Sequence, residues 1–124
     1  MKIISVLCCF VVMLVCAAMP ALAQDPLKAA PTAFKERLNN DNVRVLEFSS
    51  KPGQKDAMHS HPAVLIYVIQ GGTLKYTMPD GTSKELTYKT GDVFWREAAV
   101  HAHENVGKTQ VKALVVETKS MSNK

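Results

Sequence analysis

From Val43 onward the chain alternates apolar and polar residues in short runs separated by turn residues. Side chains two apart on an extended strand share a face, so this period predicts strands with one buried side. The runs fall at 43–49, 55–59, 63–70, 72–78, 83–88, 92–96, 101–106 and 110–118. The clearest pair is a hairpin in which Leu74, Tyr76 and Met78 alternate with Lys75 and Thr77, and Leu86 and Tyr88 repeat the pattern after the turn at Pro79-Asp80-Gly81. Lys89-Thr90-Gly91-Asp92 and Pro52-Gly53 supply two more turns. Short strands at regular spacing with little helix predict an all-β sandwich or antiparallel barrel. Before Val43 the pattern differs: residues 24–42 are polar and broken by proline. This stretch is expected to drape over the surface, with one or two helical turns over Thr32 to Leu38 capped by Thr32.

The first residues change the picture of where the domain works. Met1-Lys2 gives a positive start, residues 3–18 are almost wholly apolar, and Ala21-Leu22-Ala23 closes the run with small residues. That is the pattern of a secretory signal peptide cut before Gln24, and the apolar run is short for a membrane span. The layout expected is a signal peptide over 1–23, an extension over 24–42, a β domain over 43–118 and a tail over 119–124. The product is expected in the periplasm or secreted, off the membrane after cleavage.

All three cysteines, Cys8, Cys9 and Cys16, fall within the signal peptide. Disulfides, thiolate ligands and cysteine nucleophiles are thereby excluded from the mature chain. The formal charge of +4 comes from 15 Lys and Arg against 11 Asp and Glu with no basic block, so nucleic acid is not an expected partner.

The remaining chemistry lies in histidine. All four histidines occur in two pairs, His59-Ser60-His61 and His101-Ala102-His103. Strand alternation aims both members of a pair at one surface. Neutral imidazole is a ligand for Zn, Cu, Fe and Ni, so two converging pairs can hold one divalent transition metal. Met58 falls on the opposite face from His59, which argues against a thioether copper ligand.

The spacing around these histidines resembles the two motifs of the cupin family. Gly53, five residues, His59-Ser60-His61-Pro62 and the stretch Tyr67-Val68-Ile69-Gln70-Gly71 look like the first motif; Gly91-Asp92-Val93 and His101, three residues, Asn105 look like the second. The resemblance covers roughly residues 43–118. It implies a single antiparallel cupin β-barrel (a double-stranded β-helix or jelly roll) with His59, His61 and His101 as metal ligands. It also implies a possible homodimer through an edge strand.

Two departures from the cupin pattern stand out. The family's glutamate ligand is replaced by Leu65, or by Val64 on the shorter spacing, which leaves a neutral shell of imidazoles and lowers the expected affinity for Mn or Fe. In the second motif, proline and glycine give way to Glu97 and Ala99, and one residue is missing before His101. His103 shares the inward face with His101, either completing a four-histidine site or standing just behind it. Leu65, Tyr67, Trp95 and Asn105 are expected around the pocket, Asn105 also fixing the strand end. Glu97 is either a replacement acid or a solvated turn residue.

Two functional classes follow. One is an exported metallo-cupin whose ion polarises a small oxygenated substrate or activates O₂ or water. The other is a binding module, with or without metal, for a small molecule such as a sugar or organic acid. The ordinary imidazole value near 6.5 predicts loss of metal below roughly pH 6.

Overall fold

The computed structural model describes residues 24–119. The expected signal peptide, and the tail beyond Lys119, lie outside the described residues. One short helix, α1 (Pro26–Ala29), precedes nine strands: β1 (Phe34–Asn39), β2 (Val43–Ser50), β3 (His59–His61), β4 (Val64–Gln70), β5 (Gly72–Thr77), β6 (Ser83–Tyr88), β7 (Val93–Arg96), β8 (Ala99–Asn105) and β9 (Val111–Thr118). All strand pairings are antiparallel. They form a five-stranded sheet, β1-β2-β9-β4-β7, and a four-stranded sheet, β3-β8-β5-β6. The all-β, antiparallel architecture is the one the alternating pattern predicts, as two sheets rather than one closed ring of strands.

The core lies between the sheets, where the inward phases of the strands meet. Leu46 and Phe48 of β2, Val64 and Val68 of β4, Leu74 and Tyr76 of β5, and Val111, Ala113 and Val115 of β9 are all buried. Each large apolar side chain removed from water contributes about 1.5–3 kcal/mol, so the alternation itself holds the sheets together. The β5–β6 hairpin turns as its sequence requires. Gly81 takes a positive φ of 85°, and Asp80 Oδ1 accepts hydrogen bonds from the Thr82 amide at 2.9 Å and hydroxyl at 2.7 Å. At Gly71 the need is spatial, since a Cβ there would stand 2.3 Å from the Tyr88 carbonyl oxygen.

Two local expectations are corrected. The stretch Thr32 to Leu38 is not helical: Phe34–Asn39 is an edge strand paired with β2, with a register shift between Glu36 and Leu38. Only Phe34 of this strand is buried, so neither the helical nor the strand period is visible in its residues, and the decision comes from the free backbone edge of β2. Nor does the segment merely drape, because Ala30, Ala33 and Phe34 belong to the core.

The helix α1 lies about two turns earlier, with Asp25 Oδ1 capping the Leu27 amide at 3.0 Å and Pro26 at its first position. The strand expected over 55–59 begins instead at His59. The residues before it are tied to β8 by separate bonds, Gly53 N to Asn105 O at 2.8 Å and Asp56 N to His103 O at 3.0 Å.

Candidate metal centre and adjoining cavity

The pairing of β3 with β8 sets His59 directly opposite His101, and alternation adds His61 and His103 on the same inward face. All four rings are buried. Ring centroids are 4.9 Å apart for His59 and His61, 5.1 Å for His59 and His101, 5.4 Å for His61 and His101, and 4.5 Å for His101 and His103. One nitrogen from each of His59, His61 and His101 lies within 4.8 Å of the others. Phe34, Phe48 and Tyr76 pack against the cluster, with Phe34 5.0 Å from His59 and Tyr76 4.8 Å from His103, centroid to centroid. The edge strand β1, read as surface from the sequence, therefore supplies one wall of the site.

Three of the four imidazoles, those of His59, His61 and His103, are oriented from behind. His59 Nδ1 donates to the Ala57 carbonyl at 2.7 Å, which leaves Nε2 bearing a lone pair. His61 Nδ1 faces Glu117 Oε1 at 3.3 Å. Glu117 is gripped in turn by Arg44, whose Nε lies 2.7 Å from Oε2, and Arg44 continues to Asp25. His103 Nδ1 lies 2.7 Å from Asp56 Oδ2, while Asp56 Oδ1 accepts the His103 amide at 2.7 Å. Asp56 also closes a second cluster with His59 and His103. The neutral shell expected from the lost glutamate is thus backed by two carboxylates, the arrangement that fixes tautomers and raises imidazole basicity around metal ions.

Three buried nitrogens, His59 Nε2 and both ring nitrogens of His101, have no hydrogen-bond partner. A buried polar atom without a partner costs about 1–3 kcal/mol, and coordination is one way to satisfy it. Burial pushes His101 down to about 2, helped by the unfavourable charge interactions a protonated His101 would have with the other histidines and Arg96, and burial pushes His59 down to about 4 despite the Ala57 carbonyl. Burial also lowers His103 against the opposing pull of Asp56. These imidazoles are therefore neutral, the ligating form, at neutral pH. Burial raises the Glu117 carboxyl, but the bonds from His61 and Arg44 outweigh it and hold Glu117 ionised below the usual range. The donor set fits a divalent transition metal.

Beside the histidines a largely apolar cavity of about 550 Å³, its open mouth included, runs between the sheets. Val64, Ile66, Val68 and Phe94 line one side, and His61, His101 and His103 lie along the other. Its polar groups are few. Arg96 sits with its guanidinium carbon 4.6 Å from the Tyr76 ring centroid, and its Nη2 donates to the Tyr88 hydroxyl at 2.7 Å. The Tyr88 and Tyr76 hydroxyls are 2.8 Å apart. Burial pushes the Tyr76 phenol up, so it stays protonated.

The expected pocket residues fall elsewhere. Leu65, Tyr67 and Trp95 are 40%, 44% and 51% exposed and face outwards, because the inward phase of β4 is Val64, Ile66 and Val68 and that of β7 is Phe94 and Arg96. Asn105 is buried, but it does not line the cavity. Its Nδ2 donates to the Ser50 and Thr109 carbonyls at 2.7 and 2.9 Å, and its Oδ1 accepts from the Gly107 amide, so it clamps the end of β8. Glu97 stands at the cavity mouth and accepts from Trp95 Nε1 at 2.8 Å. Of the two candidate glutamate slots, Val64 is the inward one.

Asp56, Glu117, Arg44 and Arg96 are the residues that sequence reasoning missed. A usable signal existed for three of them: Arg44, Arg96 and Glu117 are charged residues in the inward phase of otherwise apolar strands, where charge is rarely placed without a partner or a task.

Residues 46–117 match the cupin domain family. The chain belongs to the cupin family. Among curated proteins none matches it. Among solved structures it is similar to a cupin domain from Bordetella pertussis Tohama I, at 24% identity and a TM-score of 0.64, covering 70% of this chain and 92% of that one. A conserved protein with a double-stranded β-helix domain from Klebsiella pneumoniae is 26% identical with a TM-score of 0.54, covering 68% and 70%. A polyketide cyclase from Streptomyces resistomycificus is 21% identical with a TM-score of 0.51, covering 68% and 63%. These likenesses establish the double-stranded β-helix fold of this cupin; an enzyme and a protein of no stated activity both carry it, so the fold alone does not assign a reaction.

Proposed function

We propose that this cupin is exported and holds one divalent transition ion, Zn, Ni, Cu or Fe, on His59, His61 and His101, beside a cavity that takes a small molecule. The observation that carries the reading is the convergence of one nitrogen each from His59, His61 and His101 within 4.8 Å, with buried nitrogens of His59 and His101 left without protein partners. Glu117 and Asp56 hold His61 and His103 in fixed orientations, so little ordering remains for the moment of binding. A bound ion supplies Lewis-acid polarisation of a ligand oxygen. His103, held at Nδ1 by Asp56, is placed at the cavity to accept or return a proton through its other nitrogen. The N-terminal apolar run ending in Ala21-Leu22-Ala23 supports export to the periplasm or beyond.

Elemental analysis of mature protein from its native compartment tests this reading, with His59→Ala and His101→Ala as controls. One equivalent of metal in the wild type and loss of it in both variants is the expected result. A wild type without metal, or variants that retain it, defeats the reading. A metal-free binding module is the second reading, favoured by the apolar lining of the cavity and by a ligand set with no carboxylate in it. It gains if metal-free and metal-loaded protein take up the same ligand equally well.

A further inference from the structure

We infer that the cavity ligand is a small carboxylate with an apolar body, and that Arg96 is the residue that recognises its carboxylate. This rests on the reading of the cavity as the ligand site.

The reasoning starts from one inward row of the five-stranded sheet. The strand registers align Arg44 with Glu117, Glu117 with Val64, and Val64 with Arg96. Glu117 is spent on Arg44 and His61. Val64 then separates it from Arg96 with an apolar side chain. The chain has three arginines. Arg37 pairs with Glu47 and Arg44 with Asp25 and Glu117, whereas no carboxylate among the described residues forms an ion pair with Arg96. The nearest acid in sequence, Glu97, accepts from Trp95 instead.

A guanidinium carries five donors in a planar fork, and one donor of Arg96 is known to be used, on the Tyr88 hydroxyl. The Tyr76 ring beneath Arg96 and the Tyr88 ring, stacked on Phe94 at 5.2 Å and 6°, hold the fork at the cavity wall. A cationic fork facing an apolar cavity is a match for a planar carboxylate, which it can bind with two parallel bonds. The rest of the lining, Val64, Ile66, Val68, Val111 and Val115, matches an aliphatic or aromatic body and offers a polyhydroxylated sugar few partners. Organic acid is therefore favoured over sugar.

The test uses benzoate and its uncharged counterpart benzamide as probes, titrated calorimetrically into the mature protein and its Arg96→Gln variant, with metal content measured on the same samples. Benzoate is expected to bind the wild type more tightly than benzamide. Arg96→Gln is expected to weaken benzoate roughly ten- to a hundredfold, the loss of a charge-assisted pair, and to leave benzamide nearly unchanged. Equal benzoate binding by variant and wild type, equal binding of both probes by the wild type, or binding of neither overturns the inference.

If Arg96→Gln does not fold, the Nε–H resonance of Arg96 in the wild type decides. It should shift with benzoate and stay still with benzamide, and no shift with benzoate overturns the inference. The metal reading fails separately: wild-type protein isolated without metal that still binds benzoate through Arg96 removes that reading and keeps this one, and metal without such binding does the reverse.

Discussion

Acidification of the metal-free protein offers a sharp measure of what burying the histidines costs. His59 and His101 have side chains 0% and 3% exposed, and burial lowers them from 6.5 to about 4 and about 2. A histidine whose folded value lies below its unfolded value binds fewer protons when folded. Its contribution to stability is therefore complete above pH 6.5 and is lost as pH falls toward the folded value. One pH unit is worth about 1.4 kcal/mol, so at about pH 5 each of the two histidines has cost about 2 kcal/mol, and together about 4 kcal/mol.

That pH lies above the ordinary values of 3.8 and 4.5 for the carboxyls Asp25 and Glu117, which are lowered further in the fold, so their loss belongs to a more acidic window. The measurement is urea unfolding of chelator-treated protein at about pH 7.5 and about pH 5, alongside His101→Phe, which keeps a ring in place and removes one titrating group. Because burial lowers His103 as well, the wild type should lose at least about 4 kcal/mol between the two conditions, and the variant about 2 kcal/mol less than the wild type. A wild-type loss below about 1 kcal/mol, or an equal loss in the variant, would refute the burial argument.

The same burial alters the acid release of a bound ion: metal should be retained on dialysis at about pH 5, whereas the ordinary imidazole value predicts release near pH 6. Glu117→Gln keeps the shape behind His61 and removes the charge, and should weaken metal binding about 10- to 100-fold in a chelator competition; unchanged affinity would show that Glu117 serves Arg44 alone. Phe34→Ala should cost about 3–5 kcal/mol in chemical unfolding, because the ring packs on Phe48 and on three of the histidines; a cost below about 1 kcal/mol would mean that β1 is a detachable edge. Leu65→Ser and Trp95→Ser should each cost about 1 kcal/mol or less and leave metal content and benzoate affinity untouched, and loss of either binding would return these side chains to the site.

The period of the chain and its four histidines carried far. Alternation in β4, β5, β6, β8 and β9 located those strands to within a residue or two, and because alternation also fixes facing, it aimed both imidazoles of each pair at one face; the pairing of β3 with β8 brought the two pairs together. The glycines and the Asp80-Gly81 turn were legible for the same reason: they answer local backbone demands that no distant residue alters. Motif spacing and residue type do not fix facing on β4 and β7. Leu65 falls at the cupin glutamate slot and Tyr67 and Trp95 look like pocket walls, yet all three occupy the outward phase, and only the pairing of β4 with β9 and β7 shows which phase meets the second sheet.

What tertiary structure alone decided is which groups stand behind the imidazoles and what lies beside them. Asp56 reaches His103 across 47 residues, Glu117 reaches His61 across 56, and Arg44 reaches Glu117 across 73. Such contacts depend on strand order and register, which one sequence does not encode in any local pattern. The edge strand β1 is the same case: its residues favour neither helix nor strand, and it forms because β2 presents unpaired backbone and the core has room for Phe34. Sequence determined the fold and the histidines through short-range periodicity; the carboxylates that orient them, and the Arg96 left without an acid, were decided by which strands came to lie side by side.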